Sequence, residues 1–346
     1  MLTFYVIIGI IGTISVCQSF QLSLPLNPIG RSHVKTYLHS KAPNESKKKM
    51  KKGPRVTPRR ERPRIPVLQY HDDWVCVSKP AGLTVHRGGN TSRRQLVLST
   101  LLKRQLARKV FPVHRLDHRT SGAILFSFDS ATCGLLQKAL TGDGTEVNDA
   151  SDGDGISREK NYIALVRGDW KRKFAEDEVV TVDRPLNVTG MMKDASTEFR
   201  LLASSPGDED EGPYSPSACS LVLCTPKTGR THQIRRHAYS LGFSIIGDTQ
   251  HGDSKINRWW RENRDLDRLF LHCLSLSLPP LSTFDETKSK EPVNCVAPLP
   301  AELVLVLERE DMKDLWKIAK KKDPRLLLEV FDDRGGTYGR NFRTTY

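Results

Sequence analysis

The stretch "FPVHRLDHRTSG", residues 111–122, sets one carboxylate among four potential cations, His114, Arg115, His118 and Arg119. Opposite charges favour the ionised form of a carboxylate. Asp117 therefore reads as a nucleophile or a charge stabiliser rather than a proton donor. The alternative is a turn whose polar residues form only a structural ion-pair network, and this stretch alone leaves both readings open.

A second group lies in "TPKTGRTHQIRRHAYSLG", which supplies Lys227, Arg230, His232, Arg235, Arg236 and His237. A helix starting near Thr231, with that residue as N-cap and Gly242 as its stop, would aim first-turn amides and these cations at a phosphate. Arg235 and Arg236 point in different directions on such a helix. One could face a buried carboxylate while the other meets solvent or RNA; the plainer alternative is a basic face that serves solubility. Tyr162 lies in the apolar run "KNYIALVRGDW". Its ring could stack on an extruded base, although a lone Tyr in a strand is by default core. Trp259 and Trp260, flanked by Arg258 and Arg261, either stack beside RNA or anchor a loop on the core.

Other chemistries fail on spacing. "PKTGRT" lacks the full phosphate-loop pattern, which removes ATP and GTP binding. His232 and His237 are five positions apart and miss the paired-histidine zinc-protease arrangement. The seven cysteines, Cys17, Cys76, Cys133, Cys219, Cys224, Cys273 and Cys295, contain no C-x-x-C pair. That argues against a zinc knuckle or a disulfide framework. No ligand set for a metal is apparent, and the lack of clustered acids weighs against a metal-dependent nuclease.

These side chains need a scaffold. Strands are expected at Trp74–Val77, in "TSGAILFSFDS", in "KNYIALVRGDW", more weakly in "STEFRLLASS", in "SACSLVLCTPKTGR" and in "RLFLHCLSLSLPP", the last with its Leu residues covering one face. Helices are expected in "SRRQLVLSTLLKRQLA" and "ATCGLLQKAL", and the C-terminal "PAELVLVLEREDMKDLWKIAKKKDP" is expected to end in a charged amphipathic helix. "FSIIGDTQHGD" reads as a tight Gly/Asp loop. The pattern is α+β, with motifs at strand ends converging on one cleft.

The chain has 346 residues and a formal charge of +14. Between Arg31 and Arg64, 13 Lys or Arg face two Glu, so +11 of that charge sits in a basic tail expected to lack a core. Such a tail adds non-specific attraction to phosphates or serves targeting. Residues 1–30 carry no charged side chain and open with an apolar run of 17 residues. They read as a targeting segment, or as a membrane anchor if retained, with an organelle (plastid or mitochondrion) expected ahead of the cytoplasm. A single catalytic domain is expected over 65–346, interrupted by acidic, Gly- and Ser-rich surface insertions near 141–159 and 204–217.

Five blocks carry a family resemblance. "VSKPAGLTVHRG", "HRLDHRTSG", "REKNYIALVRG", "PKTGRTHQIRRHAYSLGFSIIGDTQHGD" and "RLFLHCLSLSL" are similar, in order, to the RluA-type pseudouridine synthases, across about 60% of the chain. The fourth block, with "RLFLHC", most resembles the branch of tRNA pseudouridine synthase C. The resemblance implies a pseudouridine synthase fold with a mixed, largely antiparallel central sheet and flanking helices. It implies isomerisation of uridine to pseudouridine in RNA, in the acceptor-arm region of tRNA, with no cofactor and no metal. By it Asp117 is the catalytic aspartate, Tyr162 the aromatic residue stacked near the target base, and Arg235 the arginine paired with the aspartate. Arg115 and Arg119 would contact RNA phosphates or help open the target stem. Lys227, Arg230, Arg236, Trp259 and Trp260 complete the candidate RNA-binding set. Ribosomal RNA as the substrate, or RNA binding without catalysis, remain the competing readings. Attack on sugar or base and a route through a glycal both stay open.

Overall fold

A computed structural model of the chain describes residues 63–87, 95–142, 158–207 and 215–328. The targeting segment, the basic tail and most of both acidic insertions lie outside the described residues. What is described belongs to one compact unit.

The first half contains β1 (Val67–Tyr70), β2 (Trp74–Lys79), α1 (Leu98–Gln105), β3 (Phe111–Pro112), β4 (Ser121–Ser127), α2 (Ser130–Thr141) and β5 (Glu159–Arg167). Next come β6 (Val179–Asp183), β7 (Leu186–Val188), β8 (Met191–Lys193), β9 (Ser196–Ser205) and β10 (Cys219–Pro226). The chain then forms α3 (Gln233–Leu241), α4 (Ser254–Arg264), β11 (Leu271–Leu278), β12 (Val293–Val296), α5 (Ala301–Leu307) and α6 (Lys313–Lys322). The main sheet runs β1-β2-β4-β11-β5-β10-β9-β6, with β3 on β4 and β12 on β11; β7 and β8 form a separate hairpin. Every pairing is antiparallel except β4 with β11. The fold is therefore α+β with a mixed, largely antiparallel sheet.

Side chains alternate across a strand, so a central strand can feed two cores. β5 does this: Tyr162, Ala164 and Val166 enter the core under α1, α2 and α3, whereas Ile163 and Leu165 enter the one under α4, α5 and α6. In β11 the expected one-faced Leu pattern does not hold. Leu271, Leu276 and Leu278 face the first core while Leu274 faces the second. The pairing with β5 shifts between Cys273 and Ser275, and helices cover both faces, so both sets are buried.

Local chemistry sets several boundaries. Asp129 accepts the Thr132 N–H at 2.8 Å and caps α2, and Asp253 caps α4 through Lys255 and Ile256. Gly242 ends α3 in the left-handed region, as expected. The N-terminus differs from expectation: the residue before α3 is His232, and Thr231 is not its cap. Gln233 folds back instead, accepting the Arg230 N–H at 3.0 Å and donating to Ser196 O at 2.8 Å. Gly122 has φ +116° where β4 meets β11, and a β-carbon there would collide with the Cys273 backbone.

Candidate active site

Asp117 projects from the turn between β3 and β4, the Arg-rich segment leads into α3, and β5 and β11 run between them. These elements enclose a cavity of about 540 Å³ lined by Asp117, Tyr162, Lys160, His232 and Arg235. Residues distant in sequence thus meet at one end of the central strands.

Arg235 is nearly fully buried. Its Nε donates to Asp248 Oδ2 at 2.7 Å and its Nη2 to Asp248 Oδ1 at 2.8 Å, while Nη1 donates to Asp117 Oδ2 at 3.2 Å. Nη2 also reaches Gln250 Oε1 at 3.0 Å. Burial alone would lower the arginine, but the two carboxylates outweigh it and hold the guanidinium above its ordinary value. Burial likewise opposes charge on Asp248; Arg235 and the N–H groups of Gln250 and His251 outweigh it and hold the carboxyl below its usual range. One cation is thus locked between two anions.

Tyr162 faces the cavity from β5, and burial pushes its phenol well above the ordinary value, with Cys273 and Asp117 adding to the effect. His114 does not act as a cation. Burial pushes it down to about 3, and its Nε2 accepts the Leu125 N–H at 3.2 Å, which requires a neutral ring. His237 is also removed from the expected phosphate-facing set: it is buried between Thr197 Oγ1 and Arg184 O.

The sequence pattern of RNA pseudouridylate synthases matches residues 73–240. The chain is 32% identical over 216 residues to tRNA pseudouridine synthase C of Haemophilus ducreyi, covering 60% of this chain and 82% of that one. The protein of the same name from Vibrio vulnificus is 34% identical over 219 residues, covering 60% and 83%. The chain belongs to the RNA pseudouridylate synthase family. Its fold is similar to the solved structure of human RNA pseudouridylate synthase domain containing 4, with a TM-score of 0.51 at 21% identity over 72% of this chain and 93% of that one. Like its family, this pseudouridine synthase is an isomerase acting on RNA.

The synthase surrounds its cleft with groups that sequence reasoning did not assign. Lys79 is fully buried and donates to Leu83 O at 2.9 Å, Pro80 O at 3.0 Å and His118 O at 3.2 Å. It ties the turn carrying Asp117 to the turn after β2. Burial, with Arg268 nearby, lowers it to about 7 although Asp117 pulls the other way. Arg268 donates to Ser121 Oγ at 2.8 Å, and Ser121 meets His272 Nδ1 at 2.9 Å behind the same turn. The signals for Lys79 and Asp248 were present in "VSKPAG" and "IIGDTQ": a charged residue at the end of an apolar run. Gly247 has φ +81°, and a β-carbon there would collide with Arg268 O, which fixes the bend that delivers Asp248.

The remaining candidates divide. Arg115 is exposed beside Asp117. Lys227 pairs with Glu198 at 3.0 Å, and Arg230 Nε donates to Asp194 O at 2.9 Å; both line the cavity. Arg236 points away from Asp117, toward Asn187 O at 3.0 Å. Arg119 is tied down by Thr249 Oγ1 and Asp267 O, both at 3.0 Å. Trp260 is a correction: it is fully buried in the second core with Nε1 donating to Pro216 O at 2.9 Å, so it cannot stack on RNA. Its neighbour Trp259 is half-buried against that core, with Arg264 over its ring. The "WW" stretch lies on α4, whose single inward face takes Trp260. Among the described residues no cluster of His, Cys, Asp or Glu is suited to hold a metal ion.

Proposed function

We propose that this synthase converts a uridine in the acceptor-arm region of tRNA to pseudouridine, with Asp117 as the catalytic residue. The observation that carries the reading is the Asp117–Arg235–Asp248 array at the cavity. It presents a carboxylate, aimed by a fixed guanidinium, in a space of about 540 Å³. An extruded nucleotide would enter with its base against Tyr162. Arg115, Lys227 and Arg230 rim the opening and supply phosphate contacts. The bond between the sugar and N1 is cleaved, the uracil turns within the pocket, and C5 is joined to C1′. The tRNA assignment draws on the names of the relatives, which act on tRNA.

The test is pseudouridine mapping across total tRNA and rRNA in cells carrying either the normal protein or Asp117→Asn. Loss of one acceptor-arm tRNA site supports the reading in full. Loss at an rRNA site would retain the chemistry and move the substrate. An unchanged map would remove Asp117 from catalysis.

A further inference from the structure

Between Asp73 and Asp117 the sequence contains no Asp or Glu, and it carries nine Lys or Arg there. The rest of the chain from residue 65 onward has six more acids than bases, so the positive charge of the folded domain is concentrated in this one segment. The cleft uses only part of it. Arg115 is exposed beside Asp117, and Lys79 is buried beneath the same turn. Lys103, Arg104, Arg108 and Lys109 are exposed where α1 runs into β3. Helix α1 turns Leu98, Leu101 and Leu102 inward, which leaves Lys103 and Arg104 on the outer side of its last turn. Ala107, at φ +51°, then leads the chain out of the helix into Arg108 and Lys109.

Two of these cations are held on aromatic rings. The Arg108 guanidinium carbon lies 3.8 Å from the centre of the Phe128 ring, and Lys109 Nζ lies 4.6 Å from that of Phe111. Tyr70, an exposed ring, completes the group: its centroid is 5.3 Å from that of Phe128, and its hydroxyl is 3.5 Å from Arg108 Nη1. Stacking uses the face of a guanidinium and leaves its N–H fork in the plane, available to a phosphate. The acids of the adjoining turns are engaged elsewhere, Asp73 with Lys288 at 3.4 Å and Asp129 with the Thr132 N–H at 2.8 Å. Asp72 is exposed after β1. Among the described residues none of the four cations pairs with a carboxylate. Oriented, unneutralised cations beside an exposed aromatic ring suit a nucleic-acid backbone.

Position decides the partner. Phe111 and Pro112 pair with Ser127 and Phe126, whereas Asp117 lies in the turn before Ser121, at the opposite end of β4. The cationic segment therefore starts at the rim of a cleft that acts on RNA and continues along one strand away from it. A surface placed in that way meets the same RNA molecule as the cleft. We propose that the corner between α1 and β3 is a second RNA-contact surface, which holds the sugar–phosphate backbone of a stem of the substrate RNA about 20 Å from the reacting uridine, the span of β4 at ~3.3 Å per residue. The proposal rests on the family's action on RNA, and on neither the role of Asp117 nor the choice of tRNA.

The experiment measures binding of the full chain to total tRNA and, separately, to total rRNA on filters, between about 50 and 200 mM KCl. One double variant is Arg108→Gln with Lys109→Gln. Lys103→Gln with Arg104→Gln is the second; it disturbs no stacked ring and keeps the test decisive if the first fails to fold. Lys317→Gln with Lys321→Gln, exposed on α6 over the second core, removes the same charge elsewhere. Each surface variant should lose about two units from the slope of log affinity against log salt, and about 10-fold in affinity near 0.1 M salt. Both RNA fractions should show it, because backbone contacts carry no sequence information. The α6 variant should bind like the unmutated protein. Equal slopes in all four proteins, or an equal loss in the α6 variant, would reduce the surface to a solvated basic face and overturn the proposal. Binding to anionic phospholipid vesicles that the surface variants lose while their RNA affinity stays intact would assign the surface to a lipid and overturn it as well. Pseudouridine formation by Asp117→Asn, assayed in parallel, reports on the catalytic reading independently of these slopes.

Discussion

Arg235 and Asp248 are joined by two parallel hydrogen bonds, at 2.7 and 2.8 Å, inside the protein, and this pairing leaves only Nη1 of the guanidinium for Asp117. The arginine is therefore aimed before it meets the cleft carboxylate. Asp248, delivered by the bend at Gly247, sets the direction from which Asp117 is held. Two-point pairing fixes the plane as well as the distance, which a lysine at the same position could not do.

Asp248→Asn tests that relationship. Removing one partner of a buried ion pair costs about 3–5 kcal/mol, and because Asp117 still offsets part of the Arg235 charge, the low end is expected. Urea unfolding measures the loss, and turnover should fall with it because Arg235 can turn away from Asp117. The carboxyl of Asp248 is held low in the folded state, so the folded chain binds fewer protons than the unfolded chain in acid. Its stabilisation is complete above about pH 4 and is lost as pH falls through the folded value. The acid limb of the stability curve should be shallower in Asp248→Asn; an identical limb would show that the pair contributes nothing.

Lys79 predicts a dependence of the same sign in a different pH window. Its folded value is lowered to about 7, so between pH 7 and its unfolded value of about 10.4 the unfolded chain holds the extra proton. Stability from this group rises with pH across that window. Lys79→Met should abolish the rise. It should also leave the Leu83, Pro80 and His118 carbonyls without their shared donor, costing about 1–3 kcal/mol each at most. The observable is the midpoint of denaturant unfolding at pH 7, 8 and 9 in both proteins. A wild-type midpoint that stays flat would argue that Lys79 keeps its proton throughout.

Surface cations and buried aromatics should separate cleanly. Arg115→Ala removes an exposed charge beside the cleft and should weaken RNA binding, with a salt dependence reduced by about one unit of slope. Its melting temperature should not move. Trp260→Ala should cost about 3–5 kcal/mol of stability through the void it leaves in the second core. Once folded at low temperature, that variant should keep its affinity for RNA. Calorimetry and filter binding on the two variants distinguish a packing residue from an RNA contact.

The scaffold was legible wherever one local rule acted alone. β4 is a continuous apolar run, and Gly242 stops α3 because the chain needs a left-handed residue there. Asp117, Tyr162 and Arg235 lay in recognisable blocks, and the structure brings them to one cavity. What was hidden depends on contacts between distant residues. The two-core split of β11 follows from a shifted register with β5, which no spacing within β11 reveals. Trp260 and Trp259 are adjacent in sequence, and only the docking of α4 decides which ring is buried. The neutral state of His114 likewise comes from its burial and from the N–H of Leu125 that it accepts, a contact eleven residues away in the chain.

Tyr162 offers the last prediction, because its ring and its hydroxyl have separable consequences. The ring faces the cavity from a strand buried on both sides, so its position is set by the sheet rather than by a loop. Stacking of a base on an aromatic ring contributes about 1–3 kcal/mol. Tyr162→Leu should therefore lose that amount of binding to RNA with an extruded nucleotide, whereas Tyr162→Phe should retain most of it. Because burial keeps the phenol protonated, removing it should leave the shape of the pH–rate profile near neutrality unchanged. Single-turnover rates between pH 6 and 9 for Tyr162→Phe give the check. A rate-controlling ionisation that disappears in this variant would mean that the hydroxyl, and not only the ring, takes part in the reaction.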